Sequence, residues 1–498
     1  MKRAAVLAAM ATGLAVPATA HSAELSATPS NLGSVFAAAQ PGDTIRLASG
    51  DYGTFSGGAK SGTVALTPAA GATPSMKVKF TAANGIRIDG VRITDAEISG
   101  SSKNIAIVNG DFTNGQAIIR TSDLVNANIL LDHNRFVGFN VCSGCYEGRI
   151  NLPGSNRSGP SGVTISNNLF SGGESDGIQN GGNGVQILNN EFAHMKDDPS
   201  LGPHVDALQL YGSSNTVIRG NYFHDVPNGV VAFDQADHEV IENNVFDNSP
   251  SGSRVTVTLV SDNGSIVRHN TMVAGGCSDG GCGVMRLGYK PEFPGGKGTI
   301  VRDNIVGMLE NADSSNSFTA DHNLVATTGA GPGDFKGKPA YTGGAATPFG
   351  SPAGYTLAAG SPGKGKASDG TDVGAQISAV GIDGGSPNFP GAPQPAPAPT
   401  TPAAVAPVTN RATPKVGVAR LWRISPNRPM VHKRVILRAT PARVRGRHCV
   451  WKIAGGKTRR GCTVILRFLK PGRKRVTLTI TEPDGSVFKR TRTFTVRR

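Results

Sequence analysis

The sequence predicts an all-β protein in which a parallel β-helix solenoid is followed by a small antiparallel β-sandwich domain. Three observations support this fold class. A short phrase built around asparagine recurs through the middle of the 498-residue chain, and each copy follows a short run of alternating apolar residues. A Pro/Ala-rich stretch then separates this region from a strongly basic C-terminal segment. Regular recurrence at about 20 to 50 residues is typical of solenoids, in which each repeat packs on its neighbours.

The N-terminus has the pattern of a secretory signal. Lys2 and Arg3 precede an apolar stretch over residues 4–16, and small residues follow. This is the order of a charged region, an apolar region and a cleavage site. We therefore predict a signal peptide over residues 1–23 and a secreted or cell-surface protein. No later apolar run reaches the roughly 18 residues of a membrane span, so no transmembrane segment is expected.

The six cysteines fall into three local pairs, which are Cys142 with Cys145, Cys277 with Cys282, and Cys449 with Cys462. In an exported protein, pairs this close predict disulfides that close loops or hairpins. Zinc is the alternative for the first pair, because its spacing is that of a zinc-ligand pair. No second pair with that spacing and no suitable histidine pair accompanies it.

The asparagine phrase sets the architecture of the middle of the chain. Its aligned asparagines lie at intervals of 34, 22, 31, 23, 26, 34 and 19 residues. The copies begin at His133, Asn167, Asn189, Gly220, Asn243, His269, Asp303 and His322. A period in the low twenties leaves no room for a helix between strands, so each copy predicts one β-coil with loop insertions.

Asparagine at a fixed place in each coil has two structural uses. It tolerates the left-handed backbone conformation that a tight bend requires. Identical side chains stacked from coil to coil can also form a hydrogen-bonded ladder. Both uses favour a parallel β-helix.

The chain resembles the secreted right-handed parallel β-helix proteins of the pectate-lyase-like superfamily. Residues 35–47 and the turn Gly50-Asp51-Tyr52 resemble the N-terminal cap of these proteins, the asparagine phrase matches their coils, and residues 361–375 resemble their closing stretch. The resemblance implies a right-handed parallel β-helix over residues 24–383. It does not decide between lyases, hydrolases, epimerases and non-enzymes, because all of these use the fold.

The C-terminal part is predicted to be a separate domain. Residues 384–412 are rich in Pro and Ala and predict a semi-rigid linker. Alternating apolar runs over residues 413–498 predict antiparallel strands, and Leu469-Lys470-Pro471-Gly472 resembles immunoglobulin-like sandwiches of the PKD type. Trp451 is expected in the core of this domain.

The charge is divided unequally between these parts. From Asn410 onward, 25 Lys and Arg face only Glu482 and Asp484, a formal charge of +23, whereas the rest of the chain carries −8. We expect the basic domain to bind an anionic cell-wall or matrix polymer. Nucleic acid is not expected, since no interleaved aromatic pattern is present.

Two consecutive coils share a variant that predicts a functional site. Asp176 and Gln179 recur thirty residues later as Asp206 and Gln209, with His204 just before the second copy. The offsets to the next coil asparagine, 14 and 15, predict that the two strands stack in register. The two acids would then lie about one coil apart, where they either bind a cation or raise one pKa.

Basic residues on neighbouring coils extend this prediction. Arg149 is expected to project from the coil before and Arg286 from a coil two or three later, with Lys290 and Asp234 nearby. The predicted substrate-binding row is therefore Arg149, Gln179, Gln209 and Arg286. The alternative for every member is structural: strand-entry acids cap backbone N–H groups, stacked glutamines form ladders, and exposed arginines are solvated.

These residues favour a polysaccharide lyase acting on an acidic, uronic-acid polysaccharide by β-elimination. His204 is the predicted base, with Asp206 as its catalytic partner. Asp176 and Asp206 are the predicted ligands of a Ca²⁺ ion, and an arginine would pair with the uronate carboxylate. A monomer is expected.

Several alternatives remain open at this point. The alginate- and chondroitin-lyase branch uses a Lys and an Arg on nearby coils, where this chain has glutamines and aliphatic residues. Pro203-His204-Val205-Asp206 is loosely similar to the Asp-Pro-His-Asp signature of C5-epimerases. A glycoside hydrolase and a non-catalytic surface adhesin are the other possibilities.

Overall fold

The computed structural model describes residues 22–385 and 422–497 with internal gaps. The gaps are 122–126, 141–146, 155–158, 198–203, 249–254, 274–282, 289, 291–292, 294, 330, 346, 426–429, 432–433, 440–447, 454–456, 461–462, 469 and 482–486. The chain divides into two compact units, residues 1–400 and 401–498. No helix of the described residues is long and apolar enough to cross a membrane.

Several predictions fall outside the described residues. The signal peptide does so except for Ser22 and Ala23, and the linker does so except for Gly384 and Gly385. Five of the six cysteines do so as well, and these are Cys142, Cys145, Cys277, Cys282 and Cys462. Cys449 lies in the core of the second unit. The disulfide pairs and the domain boundaries therefore remain predictions.

The described residues of the first unit form short strands, one α-helix and two 3₁₀ helices, Pro352–Tyr355 and Ile377–Ala379. In chain order its other elements are β1 (Glu24–Ala27), α1 (Leu32–Ala38), β2 (Thr44–Leu47), β3 (Gly50–Phe55), β4 (Ala59–Pro68), β5 (Pro74–Phe80), β6 (Asn84–Asp89), β7 (Arg92–Gly100), β8 (Lys103–Val108), β9 (Ala117–Thr121), β10 (Ile129–Asp132), β11 (Arg135–Val137), β12 (Gly148–Leu152), β13 (Val163–Ser166), β14 (Leu169–Ser171), β15 (Asp176–Asn180), β16 (Gln186–Leu188), β17 (Glu191–Ala193), β18 (Asp206–Leu210), β19 (Val217–Arg219), β20 (Tyr222–His224), β21 (Asn228–Ala232), β22 (Val240–Glu242), β23 (Val245–Asp247), β24 (Val255–Val260), β25 (Ile266–Arg268), β26 (Thr271–Met272), β27 (Val284–Gly288), β28 (Lys297–Arg302), β29 (Ile305–Val306), β30 (Met308–Asn311), β31 (Ser317–Val325) and β32 (Gly333–Lys336).

These strands form three ladders of parallel pairs, as the predicted β-helix requires. The first ladder runs through β1, β2, β4, β6, β8, β10, β13, β16, β19, β22, β25, β28 and β31. The second runs through β11, β14, β17, β20, β23, β26, β29, β31 and β32. The third is the eleven-stranded sheet β3-β5-β7-β9-β12-β15-β18-β21-β24-β27-β30. Helix α1 buries Leu32 and Phe36 against the N-terminal coils, as the predicted cap requires.

The two roles predicted for asparagine, the left-handed bend and the ladder, are filled by two consecutive residues of each phrase. The first residue of each copy takes the left-handed conformation, with φ of 54° at His133, 53° at Asn167 and 57° at Asn243. The second residue builds the ladder: the backbone N–H and the side-chain Nδ2 of Asn190 both donate to Oδ1 of Asn221, at 2.9 and 3.0 Å. The same pattern links Asn134, Asn168, Asn190, Asn221, Asn244, Asn270, Asn304 and Asn323. Each amide is buried with its polar atoms bonded, so the ladder adds specific hydrogen bonds to the apolar core.

The phrase also supplies a continuous aromatic core. The residue two places after each ladder asparagine points inward, and rings stack 4.4–5.1 Å apart from coil to coil. The stack contains Phe112, Phe136, Phe170, Phe192, Phe223 and Phe246. Parallel stacking follows from parallel strands in register, because equivalent side chains recur one coil apart.

A closing segment, residues 361–385, runs back along the coils. Ser368 N donates to Asp303 Oδ1 at 2.6 Å, Gln376 N donates to Asn243 Oδ1 at 2.6 Å, and Asp383 N donates to Asn167 Oδ1 at 3.1 Å. The three residues that accept these hydrogen bonds, Asp303, Asn243 and Asn167, have the left-handed backbone conformation and lie at the bend between the first and second ladders. The closing segment therefore covers that bend.

The second unit is a small antiparallel β-sandwich. One sheet holds β33 (Trp422–Ser425), β34 (Arg434–Ala439) and β37 (Thr463–Arg467), and the other holds β35 (His448–Ile453), β36 (Lys457–Arg460), β38 (Gly472–Thr481) and β39 (Val487–Val496). Both sheets contribute to one core, in which Leu437 of the first meets Trp451 and Leu478 of the second. The sandwich and the buried Trp451 confirm the predicted fold.

Candidate active site

The strand alternation breaks where the chain enters the third ladder. Ala207 and Leu208 are consecutive in β18, yet both are fully buried in the core. Strict alternation would put Asp206 and Gln209 on opposite faces of the sheet. Because two residues in a row point inward, these two polar side chains come to the same outer side. The equivalent pair in β15 behaves alike, since Asp176 Oδ2 accepts a hydrogen bond from Gln179 Nε2 at 2.9 Å.

The two coils stack in the predicted register. Gln179 pairs with Gln209 across β15 and β18, and Gln179 Nε2 donates to Gln209 Oε1 at 2.8 Å. Since Gln209 Oε1 is the acceptor in this contact, its Nε2 group is the end that can donate to a ligand. The row continues from Gln209 through Val231, Thr258 and Arg286.

The side chains of Asp176 and Asp206 are both buried next to each other at this bend. The backbone N–H of Asp206 donates to Oδ1 of Asp176 at 2.7 Å, and Asn228 Nδ2 donates to Oδ1 of Asp206 at 3.0 Å. Asp206 is fully buried and Asp176 is 3% exposed. Burial, with the nearby Asp206 carboxylate, raises the pKa of Asp176 to about 7, although the Asp206 N–H and Gln179 favour its charged form.

His204 is the exposed member of the predicted trio Asp176, His204 and Asp206. Its side chain is 55% exposed, and Nδ1 lies 3.2 Å from Oδ2 of the buried Asp206. The Asp206 carboxylate is the main reason that the pKa of His204 rises to about 9; burial opposes the rise, and Asp176 and Asp197 add to it. Asp197 also accepts the backbone N–H of Val205 at 2.6 Å, which holds the chain beside the ring. An imidazole with one nitrogen toward a carboxylate has a fixed orientation, so Nε2 is the atom left for proton transfer.

The structure places Arg149 apart from the predicted row. In β12 the residue that pairs with Gln179 is Asn151, and Arg149 instead occupies the inward position held by Gly177 in the next strand. Its side chain is fully buried and donates from Nη2 to the Gly172 carbonyl. Burial lowers the pKa of Arg149 to about 10, and the nearby Asp176 carboxylate opposes this shift. The expectation that Arg149 projects from its coil is therefore corrected: the side chain cannot reach a ligand in the row.

Arg286 lies in the predicted row but far along it. Three strand steps separate it from Gln209, which is roughly 15 Å at the usual strand spacing. Its side chain is partly exposed, with Nε 3.6 Å from Glu310. Lys290 pairs with Asp234 at 2.5 Å instead of joining the row.

The predicted Ca²⁺ ligands do not by themselves make a calcium site. Ca²⁺ takes about six to eight oxygen ligands. Both carboxylate oxygens of Asp176 and Oδ1 of Asp206 accept hydrogen bonds, and Oδ2 of Asp206 faces His204. Among the residues that the structure describes, no group of three or more His, Cys, Asp or Glu side chains is arranged to hold a metal ion.

Sequence reasoning missed three members of this cluster. Glu147 accepts a hydrogen bond from Gln179 Nε2 at 3.1 Å, and Asn228 and Asp197 make the contacts already described. Asn228 had a signal, because Pro227-Asn228-Gly229 follows Val205-Asp206-Ala207 by one coil length. Glu147 and Asp197 border long insertions, where the sequence holds no periodicity to place them.

The fold and its coils match a family model. The model described as "Right handed beta helix region" matches residues 75–272 and again residues 154–325, which together span half of the chain. This chain belongs to the right-handed β-helix family. This match confirms the predicted right-handed β-helix. A comparison with curated proteins found no match to the sequence.

Solved structures are also similar to this β-helix protein. The alginate lyase AlyGC of polysaccharide lyase family 6, in an arginine-to-alanine mutant, is 15% identical with a TM-score of 0.37; the match covers 74% of this chain and 60% of that enzyme's length. A mannuronic-acid-specific family 6 lyase from human gut microbiota is 11% identical with a TM-score of 0.31, covering 63% of this chain and 91% of that one. The pectate lyase Pel9A is 13% identical with a TM-score of 0.24, covering 71% and 96%.

Proposed function

We propose that this chain is an exported polysaccharide lyase that cleaves a uronic-acid polymer by β-elimination, with His204 as the group that transfers the proton. One observation carries the proposal. Within the predicted trio Asp176, Asp206 and His204, the two carboxylates are buried and the imidazole is exposed. A substrate on this surface meets His204, and Asp206 acts through it as a positioning residue.

The surface around His204 suits a polymer. The outer face of the third ladder continues over eleven strands, which is roughly 50 Å at the usual strand spacing. The partly exposed Gln209 and the largely buried Gln179, from successive coils, lie in one row along it. A polysaccharide lying parallel to the solenoid axis would contact residues at the same strand position in successive coils.

The proton transfers of β-elimination can be assigned to these groups. Neutral His204 takes the C5 proton of the uronate at Nε2. The electrons of the C5–H bond form the C4–C5 double bond, and the C4–O bond breaks. The leaving oxygen then takes a proton, which the imidazolium holds. Asp206 stabilises that imidazolium, and Gln209 Nε2 donates to the substrate carboxylate as negative charge grows on it.

Burial of Asp176 and Asp206 weighs against a hydrolase that uses this pair of acids. A glycosidase needs two carboxyl groups flanking the scissile bond. Asp176 and Asp206 lie beneath the surface, with their oxygens already engaged. An epimerase would use the same C5 proton transfer but leave the chain uncut, so the product separates it from a lyase.

The test is the ultraviolet absorbance of the unsaturated uronate that β-elimination creates. The mature chain is incubated with alginate, polygalacturonate and glucuronate-containing polymers, with added Ca²⁺ or with EDTA. We expect absorbance to rise on one polymer class and His204→Ala to abolish the rise. His194→Asn is the control, because His194 is also exposed and paired with an acid, Asp225, at 2.8 Å, and asparagine tolerates the positive φ of 54° at this position.

Each other outcome points to a different protein. New reducing ends without the chromophore would indicate a hydrolase. Exchange of the C5 proton with solvent without cleavage would indicate an epimerase. Polymer binding without any of these products would indicate an adhesin and overturn the proposal.

A further inference from the structure

The four-stranded sheet of the second unit has an outer face of a distinct kind. Val476 and Leu478 of β38 point into the core with Trp451 of β35. Their neighbours in each strand therefore point outward. We name this outer surface the threonine face, and its described members are Val450, Lys452, Thr458, Arg473, Arg475, Thr477, Thr479, Thr491, Thr493 and Thr495.

The strand register aligns hydroxyls and cations on this face. Lys452 pairs with Thr458 on one side and with Thr477 on the other, and Thr477 pairs with Thr491. The Oγ1 atoms of Thr477 and Thr491 lie 2.7 Å apart, so the two hydroxyls form one hydrogen bond and retain capacity for others. Arg475 pairs with Thr493 and Arg473 with Thr495, which places a cation beside a hydroxyl in each of these rows as well.

The charge around this face is one-sided. Strands β35, β36, β38 and β39 contain no Asp or Glu, and the region from Asn410 onward has 25 Lys and Arg against two acids. Lys452, Arg473 and Arg475 are all exposed. With no carboxylate on these strands, the field of the cations is not cancelled locally and attracts polyanions.

We propose that the threonine face binds an anionic polysaccharide. The cations pair with carboxylate, sulfate or phosphate groups of the polymer, and the threonine hydroxyls exchange hydrogen bonds with sugar hydroxyls. Because the side chains are already exposed on a sheet, little protein has to rearrange on binding. The aromatic side chains described in this sheet, Trp451 and Phe494, pack on its core side, so the face lacks the rings on which unpaired bases stack.

This inference goes beyond the proposed catalysis, because it concerns a different unit of the chain. It holds whether or not the β-helix is a lyase. Binding at the threonine face is expected to be unchanged in the His204→Ala variant, which separates failure of one proposal from failure of the other.

The test measures retention of the full-length chain on immobilised polygalacturonate as NaCl is raised. The test variant replaces Lys452, Arg473 and Arg475 by Ser. The control replaces Arg459, Lys470 and Lys474 by Ser; these cations also reach solvent, but Lys470 lies in a loop and the other two point to the opposite side of the sheet from the threonine face. Both variants lose three charges, and circular dichroism melts check that both fold.

We expect the test variant to bind on the order of tenfold more weakly at low salt, and its affinity to depend less on salt concentration. The control is expected to stay within about twofold of the wild type. Equal weakening of both variants would show that net charge alone governs binding and would overturn the assignment to this face. Unchanged binding of the test variant would do the same. Tighter binding to a single-stranded oligodeoxynucleotide than to the polysaccharide would replace the proposed ligand by nucleic acid.

Discussion

The backbone N–H of Asp206 donates to the side-chain Oδ1 of Asp176 at 2.7 Å, so one acid of the candidate site holds the other in place. The contact ties two successive coils together at the point where both enter the third ladder. It also gives the two carboxylates different tasks. Asp176 supports the backbone, whereas Oδ2 of Asp206 faces the exposed ring of His204 at 3.2 Å.

The proposed base predicts an alkaline pH profile. His204 must be neutral to take a proton, and its pKa lies near 9. We therefore expect kcat/KM on the uronate polymer to rise with pH and to level off above about pH 9. Asp206→Asn removes the main cause of the raised pKa, so its profile should shift toward the ordinary imidazole value of about 6.5. A pH profile that is the same in the wild type and in Asp206→Asn would refute the proposal that His204, paired with Asp206, transfers the proton.

Gln209 is predicted to act on the transition state more than on ground-state binding. Its Nε2 group would donate to the substrate carboxylate as charge accumulates there. Gln209→Leu should therefore lower kcat on the order of tenfold or more with a smaller change in KM. Gln186→Leu, on the first ladder, is the control and should leave both constants unchanged. A rise in KM alone would assign Gln209 to binding only.

The asparagine ladder should contribute measurably to folding. Asn221→Ala removes the acceptor for both the N–H and the Nδ2 of Asn190 and leaves them buried. We expect a loss of roughly 2 to 4 kcal/mol in the free energy of unfolding, measured by urea denaturation. Asn311→Ala, at an exposed position, should change stability by less than about 0.5 kcal/mol. Similar values for the two variants would contradict a structural role for the ladder.

The contribution of the contact between His133 and Asp383 to stability should depend on pH. His133 Nε2 lies 2.7 Å from Asp383 Oδ1, and Nδ1 lies 2.6 Å from Asp132 Oδ2. Burial lowers the pKa of His133, but the two carboxylates together outweigh it and the net shift is upward. A raised histidine pKa stabilises the fold fully below the unfolded value of about 6.5, and this contribution is lost as the pH rises through the folded value.

The measurement compares melting temperatures of the wild type and His133→Asn between about pH 5 and pH 9. Asparagine is the suitable replacement because residue 133 has a positive φ of 54°. We expect the wild type to be the more stable protein at low pH and the difference to shrink as pH rises. A difference that is constant or grows with pH would contradict the ion-pair account.

The fold was predictable because it depends on short-range periodicity. The phrase around Asn190 and Phe192 contains the bend, the ladder amide and the core ring of one coil within four residues. Repetition of such a phrase at a short period allows few architectures other than stacked coils. The register of Gln179 with Gln209 followed in the same way, from the nearly equal offsets of 14 and 15 residues between each aspartate and the next coil asparagine.

The site was only partly predictable, because its details depend on a local departure from that periodicity. Ala207 and Leu208 both point inward, and this break brings Asp206 to the same side as Gln209. Two strands earlier in the third ladder, in β12, the same inward position is held by Arg149, which is why that arginine is buried rather than in the row. Reasoning from strict alternation of inward and outward residues does not predict the position at which that alternation is interrupted.

By itself the sequence determined the class of fold, the stacking of coils and the division of charge between the two parts, since each depends on residues close together in the chain or on composition. The tertiary structure decided which side chains reach solvent beside His204, which carboxylate faces it, and where the closing segment lies along the coils. Those outcomes depend on contacts such as Asn228 with Asp206 and Asp383 with Asn167, which join residues from different coils. Burial and pKa values follow from such contacts, and no spacing along the chain specifies them.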